Sequence, residues 1–358
     1  MLLRSRPFAS VLALTALALA TTAACKKDEA HPAVIDDSNG RPPVLGGGGG
    51  GGTTKGDGGA GTKGAIASAP SDVRGVAATA SDVYFLYVGA GDGGTTADGG
   101  TLGTSVLARV AKSGGTVQTV VSGGESPRDL TLVDGSLYWI DDGATSSSVV
   151  RYGAAVLGAM VSGLTTSSTY AARSDTIVIA TANLGSVSID RAPNADAGTV
   201  QPVGTLTGNW TPVRIALDGA NVYLLATTGL GGSLYKVPLA GGVPEEIWTG
   251  GTGSVHDLVI ADASALVTWD RGADGEVVTV PLGGGAAKAL VSPVDTPTLL
   301  AVDGTDVFIA TGKGEIVRAP TSGGTATTLA TDLGEPAAIA VSDAVFVATG
   351  TSIVRVPR

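Results

Sequence analysis

The chain has 358 residues, among them 55 Gly, one Cys and two His; 43% are hydrophobic, 4% aromatic, and the formal net charge is −10. That is enough length and apolar content for one large or two ordinary domains with a real core. The single cysteine excludes a disulfide framework and a cysteine-rich zinc site, and the acidic balance excludes a general phosphate-backbone binder, which needs surplus Lys and Arg to release counterions.

Residues 1–24 read as an export signal. Arg4 and Arg6 give the charged start, Val11 to Ala20 the apolar run, and Thr22-Ala23-Ala24 the small residues of a cleavage site. A permanent transmembrane helix needs about 20 apolar residues, more than this run supplies. Cys25 follows at once. A unique cysteine after small residues at the end of a signal resembles the bacterial lipobox, whose cysteine is lipidated and becomes the mature N-terminus. The resemblance implies lipidation of Cys25. Lys26 stands where inner-membrane lipoproteins carry Asp, which implies the outer membrane of a Gram-negative cell envelope. Loss of Arg4 and Arg6 leaves an acidic body that an anionic lipid surface repels, so the lipid is expected to do the anchoring.

Residues 25–61 form the predicted tether. They carry Pro42-Pro43 and seven consecutive glycines from Gly46 to Gly52, without apolar periodicity. Such chain buries too little to offset its ordering entropy, and a Gly-rich coil of this length spans roughly 30–35 Å. No Lys-Ser/Thr follows at the P-loop spacing, so phosphate binding is not expected.

From residue 62 to 358 one unit recurs. Its clearest copy is Thr298–Leu329, with four short runs rich in Val, Ile and Thr separated by Asp-Gly, Gly-Lys-Gly and Gly-Gly. The breaks are hairpin chemistry and the runs are strand length. Second strands are expected to start at Asp82, Ser136, Thr176, Asn221, Ala265, Asp306 and Ala344, a period of roughly 40–45 residues. No helical periodicity is sustained. The expected fold is therefore all-β, a seven-bladed β-propeller of four-stranded blades. The last unit supplies only three strands, and Thr62–Ser68 reads as a spare fourth one. The N-terminal strand should complete the last blade.

Tyr138-Trp139-Ile140-Asp141 after Asp134-Gly135, and Ile316-Val317-Arg318 before Gly323-Gly324, resemble YWTD- and NHL-type propeller repeats. The resemblance covers residues 62–358 and implies the architecture. It implies no activity, since such propellers serve as enzymes, receptors and scaffolds alike.

Repetition separates scaffold from candidate site. Arg109, Arg151, Arg191, Lys236, Arg318 and Arg355 recur near the end of the third strand and read as outward charges or inter-blade pairs. The start of the innermost strand differs between units and holds Arg74, Arg128, Asp129, Trp210, Arg214, His256 and Asp257. In propellers these segments surround one mouth of the central channel. Mixed charges with one His and one Trp suit a small polar ligand or a sugar, with Trp210 as the stacking face. Neighbours on a strand face opposite ways, so Asp257 is not expected to orient His256. Asp270, Asp274 and Glu276, and Asp92 and Asp98 in an insert between Gly89 and Gly103, lie in segments that lack the calcium-loop pattern and read as turns. No cofactor or metal is expected. The reading is a lipid-anchored binding or scaffold module for a protein, glycan or small ligand, without nucleic acid. The alternative is a propeller lyase or hydrolase acting through His256.

Overall fold

The computed structural model describes residues 64–89, 103–153, 156–194, 199–229, 231–271 and 274–358. The expected signal (1–24), tether (25–61), Cys25 and the insert at 90–102 lie outside the described residues. Within them the protein forms seven four-stranded antiparallel sheets. We number these blades I–VII by their inner strands: Val73–Ala78, Ser126–Val133, Ser168–Ala172, Thr211–Leu217, Ser254–Ala261, Pro297–Asp303 and Pro336–Val341. The second strands start at Asp82, Ser136, Thr176, Asn221, Ser264, Asp306 and Val345, within one residue of the sequence expectation at every blade.

The ring closes as expected. Gly64–Ser68 is the outer strand of blade VII and pairs with Ser352–Val356, Ala65 facing Val354 and Ala67 facing Ile353 across a bulge. The first and last parts of the described chain therefore share one sheet.

Why the units need a ring is visible in the second strands, which are apolar on both faces. In blade IV, Val222, Leu224 and Ala226 enter the cluster shared with blade III, while Tyr223 and Leu225 enter the one shared with blade V. The period-2 alternation of a strand thus feeds two different seams. Seven such clusters fill the seven seams. Each fully buried Val, Leu or Phe contributes roughly 1.5–3 kcal/mol, and an isolated blade would forfeit both faces.

Two of the recurrent basic residues, Arg191 and Lys236, act in a clasp on the side away from the strand starts, whereas Arg109, Arg318 and Arg355 pair within their own blades. The residue after the third strand of one blade covers the second strand of the blade before it. Lys112 lies over Phe346 and pairs with Asp343 at 2.7 Å. Arg358 covers Phe308 and pairs with Asp303, and Asn194 donates to Tyr138. Where that residue is Leu239 or Leu282, the preceding blade's Arg191 or Lys236 donates to its carbonyl, at 3.2 and 3.0 Å. The Lys112 ammonium, with Ser342 and despite partial burial, holds the Asp343 carboxyl down to about 2.

Candidate functional site at the channel mouth

The first strand of each blade starts on one side of the ring, and the second strand returns to it. Starts of inner strands and ends of second strands therefore meet there. Six of the seven inner strands carry a bulge near their start, the exception being blade III. The extra residues include Arg74, Asp129, Val213, His256, Thr298 and Ala337. A bulge re-aims the side chains beside it, so this is where the blades differ while the framework repeats. The residue after Arg74 shows how tight the packing is. A Cβ on Gly75 would stand 2.7 Å from Leu130 Cβ and 3.1 Å from Leu130 N, so only glycine fits there.

Four of the expected mouth residues join in one chain of charges across the channel. Arg128 donates Nε to Asp142 at 2.6 Å and Nη1 to Asp129 at 2.9 Å. From blade IV, Arg214 reaches Asp129 at 3.3 Å and donates Nε to Asp257 of blade V at 2.8 Å. Asp257 is 4% exposed and also accepts the amides of Leu258 (2.9 Å) and of Leu300 in blade VI (2.8 Å). Tyr170 of blade III donates to the Asp129 carbonyl at 2.8 Å. One network thus engages blades II to VI.

Its electrostatics follow from its geometry. Asp257 chiefly, with Asp129, holds the Arg214 guanidinium above its ordinary range against partial burial. Burial opposes the charge on Arg128, but Asp142 and Asp129 more than offset it. In Asp141, next to Asp142, the charged form is instead disfavoured. Burial raises it, aided by Glu125 and Asp142, although the amides of Glu125 and Ser126 donate to its carboxylate. Asp129 itself has φ 59°, a left-handed conformation that Asp tolerates better than most residues.

The remaining sequence candidates stand outside this chain. Arg74 is exposed and donates to Ser126 Oγ at 2.5 Å. Trp210 lies edge-on to Tyr235, with centroids 5.4 Å apart, and packs on the cluster between blades III and IV. Its indole covers core surface where a stacking face was expected. The His256 Nε2 is 3.6 Å from Asp270, a residue that read only as a turn. Asp257 spends both oxygens on Arg214 and backbone amides instead. Among the described residues no group of three or more His, Cys, Asp or Glu is placed to hold a metal.

The blade V bulge depends on one hydroxyl. The buried Thr268 Oγ1 accepts the amides of Asp257 at 2.8 Å and His256 at 3.3 Å. Thr268→Val keeps the shape and strands both donors, so urea unfolding should show a loss of about 1–3 kcal/mol. An unchanged midpoint would mean that the hydroxyl does not hold the bulge.

Comparison with known proteins gives the fold and stops there. No protein-family model matches the chain, and no curated protein does. Among solved structures, the computationally designed Ika8 protein is similar at 16% identity and a TM-score of 0.56, over 82% of this chain and 98% of that one. A puromycin-hydrolyzing peptidase of Mycobacterium tuberculosis aligns at 14% identity and a TM-score of 0.50, over 76% of this chain and 55% of that one. A nidogen/laminin complex gives 13% identity and a TM-score of 0.45, over 60% and 85% of the two chains. Identities this low speak to architecture alone.

Proposed function

We propose that this protein is a lipid-anchored extracytoplasmic binding module that presents the mouth side of its ring to a protein partner. The observation that carries the reading is the charge chain from Asp142 through Arg128, Asp129 and Arg214 to Asp257. It pairs these charges with one another and, with the Tyr170 hydroxyl and the Leu300 amide, links blades II to VI in one rim. A rim ordered in advance loses little entropy on binding. The lipid on Cys25 and the outer-membrane address belong to the same proposal and rest on the lipobox resemblance.

A lyase or hydrolase acting through His256 is the second reading. The His256–Asp270 pair favours it, since a carboxylate at that distance can set the imidazole tautomer. Neither a second histidine nor a Gly-x-Ser-x-Gly elbow accompanies it in the folded region.

The test places a photo-crosslinking residue at Arg74, on the mouth side, or at exposed Thr325, on the opposite side, in the full chain in its native envelope. Crosslinks to one protein from position 74 and not from 325 are the expected result. Crosslinks from 325 alone, or from neither, overturn the reading. Labelled palmitate should enter the wild-type chain and not Cys25→Ala; no label in either removes the lipid anchor.

A further inference from the structure

Outside the charge chain, the mouth side of blade V carries a feature with no counterpart among the described parts of the other blades. The guanidinium carbon of Arg271 lies 4.4 Å over the ring of Trp269. Its Nη2 is 3.6 Å from Glu276, the residue directly opposite Trp269 in the ladder. Trp248, from the outer strand of blade IV, meets Trp269 edge-on with centroids 5.8 Å apart. Glu276 is largely buried, its side chain 14% exposed. Glycines wrap the two indoles. A Cβ on Gly250 would stand 2.8 Å from Trp248, and one on Gly253 would stand 2.6 Å from Trp269 Nε1 and 3.0 Å from Arg271 Cγ.

The other two cation–ring contacts, Lys112 over Phe346 and Arg358 over Phe308, join different blades in the clasp. Arg271 instead stacks on a residue of its own blade two positions away, so it joins no two blades. Its ion pair is long and single, and the side chain is 37% exposed. The guanidinium is thus held by one ring face and one long ion pair and stays partly exposed.

We propose that the face of Trp269, backed edge-on by Trp248, and the Glu276 carboxylate form a cage for a guanidinium, filled at rest by Arg271, which an arginine side chain of the partner polypeptide displaces. The proposal rests on the mouth-side reading above for the partner being a protein. Arginine is selected over lysine because a planar fork stacks on an indole and presents paired donors to a carboxylate, whereas an ammonium is a strongly hydrated point charge. Displacement costs little, because Arg271 gains solvent as it leaves. The glycines let the backbone pack directly against the two rings, which fixes the position of the Trp269 face.

The probe is N-acetylarginine amide, titrated into the full chain and followed by tryptophan fluorescence. Arg271→Ala empties the cage and should bind the probe about two- to fivefold more tightly than wild type, the strength of one exposed cation–ring contact. The neutral isostere N-acetylcitrulline amide should not bind, and adding Glu276→Gln to Arg271→Ala should weaken the arginine probe. A folded Arg271→Ala protein with no saturable response, or with equal response to citrulline, overturns the cage. In the crosslinking assay, partner yield from position 74 should fall with excess probe. A yield indifferent to probe and to Arg271→Ala overturns the cage and leaves the mouth-side reading intact. Absence of any partner overturns that reading, and the titration is independent of it.

Discussion

Replacing Asp257 by Ala is expected to destabilise the ring by about 3 kcal/mol, the lower end for breaking a buried ion pair. The carboxylate is 5% exposed and serves three donors: Arg214 Nε and the amides of Leu258 and Leu300. Both amides are buried, and each loses an acceptor at roughly 1–3 kcal/mol. Arg214 suffers less. It is 28% exposed and keeps Asp129 at 3.3 Å, so its charge finds water and a second partner. That is why the lower end applies. Asp257→Asn retains acceptor oxygen for the amides and should cost about half as much. Urea unfolding with an unchanged slope would place the effect in the native state. A cycle with Arg214→Met should show coupling of about 1 kcal/mol or more, as contacting charges do. A loss below about 1 kcal/mol for Asp257→Ala would mean that the cross-channel chain is decoration on a ring held by its seams.

The scaffold was legible because its signals are local and repeated. Asp-Gly turns mark where the second strands of blades II, IV and VI begin, and apolar runs such as Val222–Ala226 mark strands covered on both faces. The spare segment Gly64–Ser68 could be assigned to the last blade by counting strands alone. The position of the mouth was legible as well, because the inner-strand starts are where the repeat breaks down. What those residues do there was not. A bulge adds one residue without altering composition, so nothing in Ser254–Ala261 shows that His256 and Asp257 share Thr268 Oγ1. Arg214 and Asp129 are 85 positions apart and meet only because ring packing brings the inner strands of blades II and IV, either side of blade III, to the same part of the channel mouth. Trp210 was expected at the mouth from its alignment, yet a large apolar ring beside Tyr235 gains more by covering the seam. Glu276 read as a turn residue because an acidic side chain in a Gly-rich segment carries the signature of a turn, and nothing local shows that it sits opposite Trp269.

Excision of residues 64–68, with everything before them retained, is expected to lower stability by about 3 kcal/mol, roughly 5 °C in Tm for a domain this large. The strand is short, and its ladder to Ser352–Val356 is interrupted by a bulge between Ala65 and Ala67. At roughly 1 kcal/mol net per hydrogen bond, that ladder contributes a few kcal/mol. Ala67 and Ile66 add contact with the cluster between blades VII and I. The loss stops short of unfolding because the ring has a second fastening just downstream. Ala69 donates to Thr351 at 2.7 Å and Val73 to Gly350 at 2.8 Å, so blade I stays pinned to blade VII when the outer strand is gone. The excised protein should instead expose the edge of Ser352–Val356 and self-associate, since an unpaired edge is a template for another chain. Adding the peptide Thr62–Ser68 should restore part of the lost Tm. If excision leaves Tm and monomer fraction unchanged, the N-terminal strand is a passenger, and closure belongs to the seams and to those two backbone bonds.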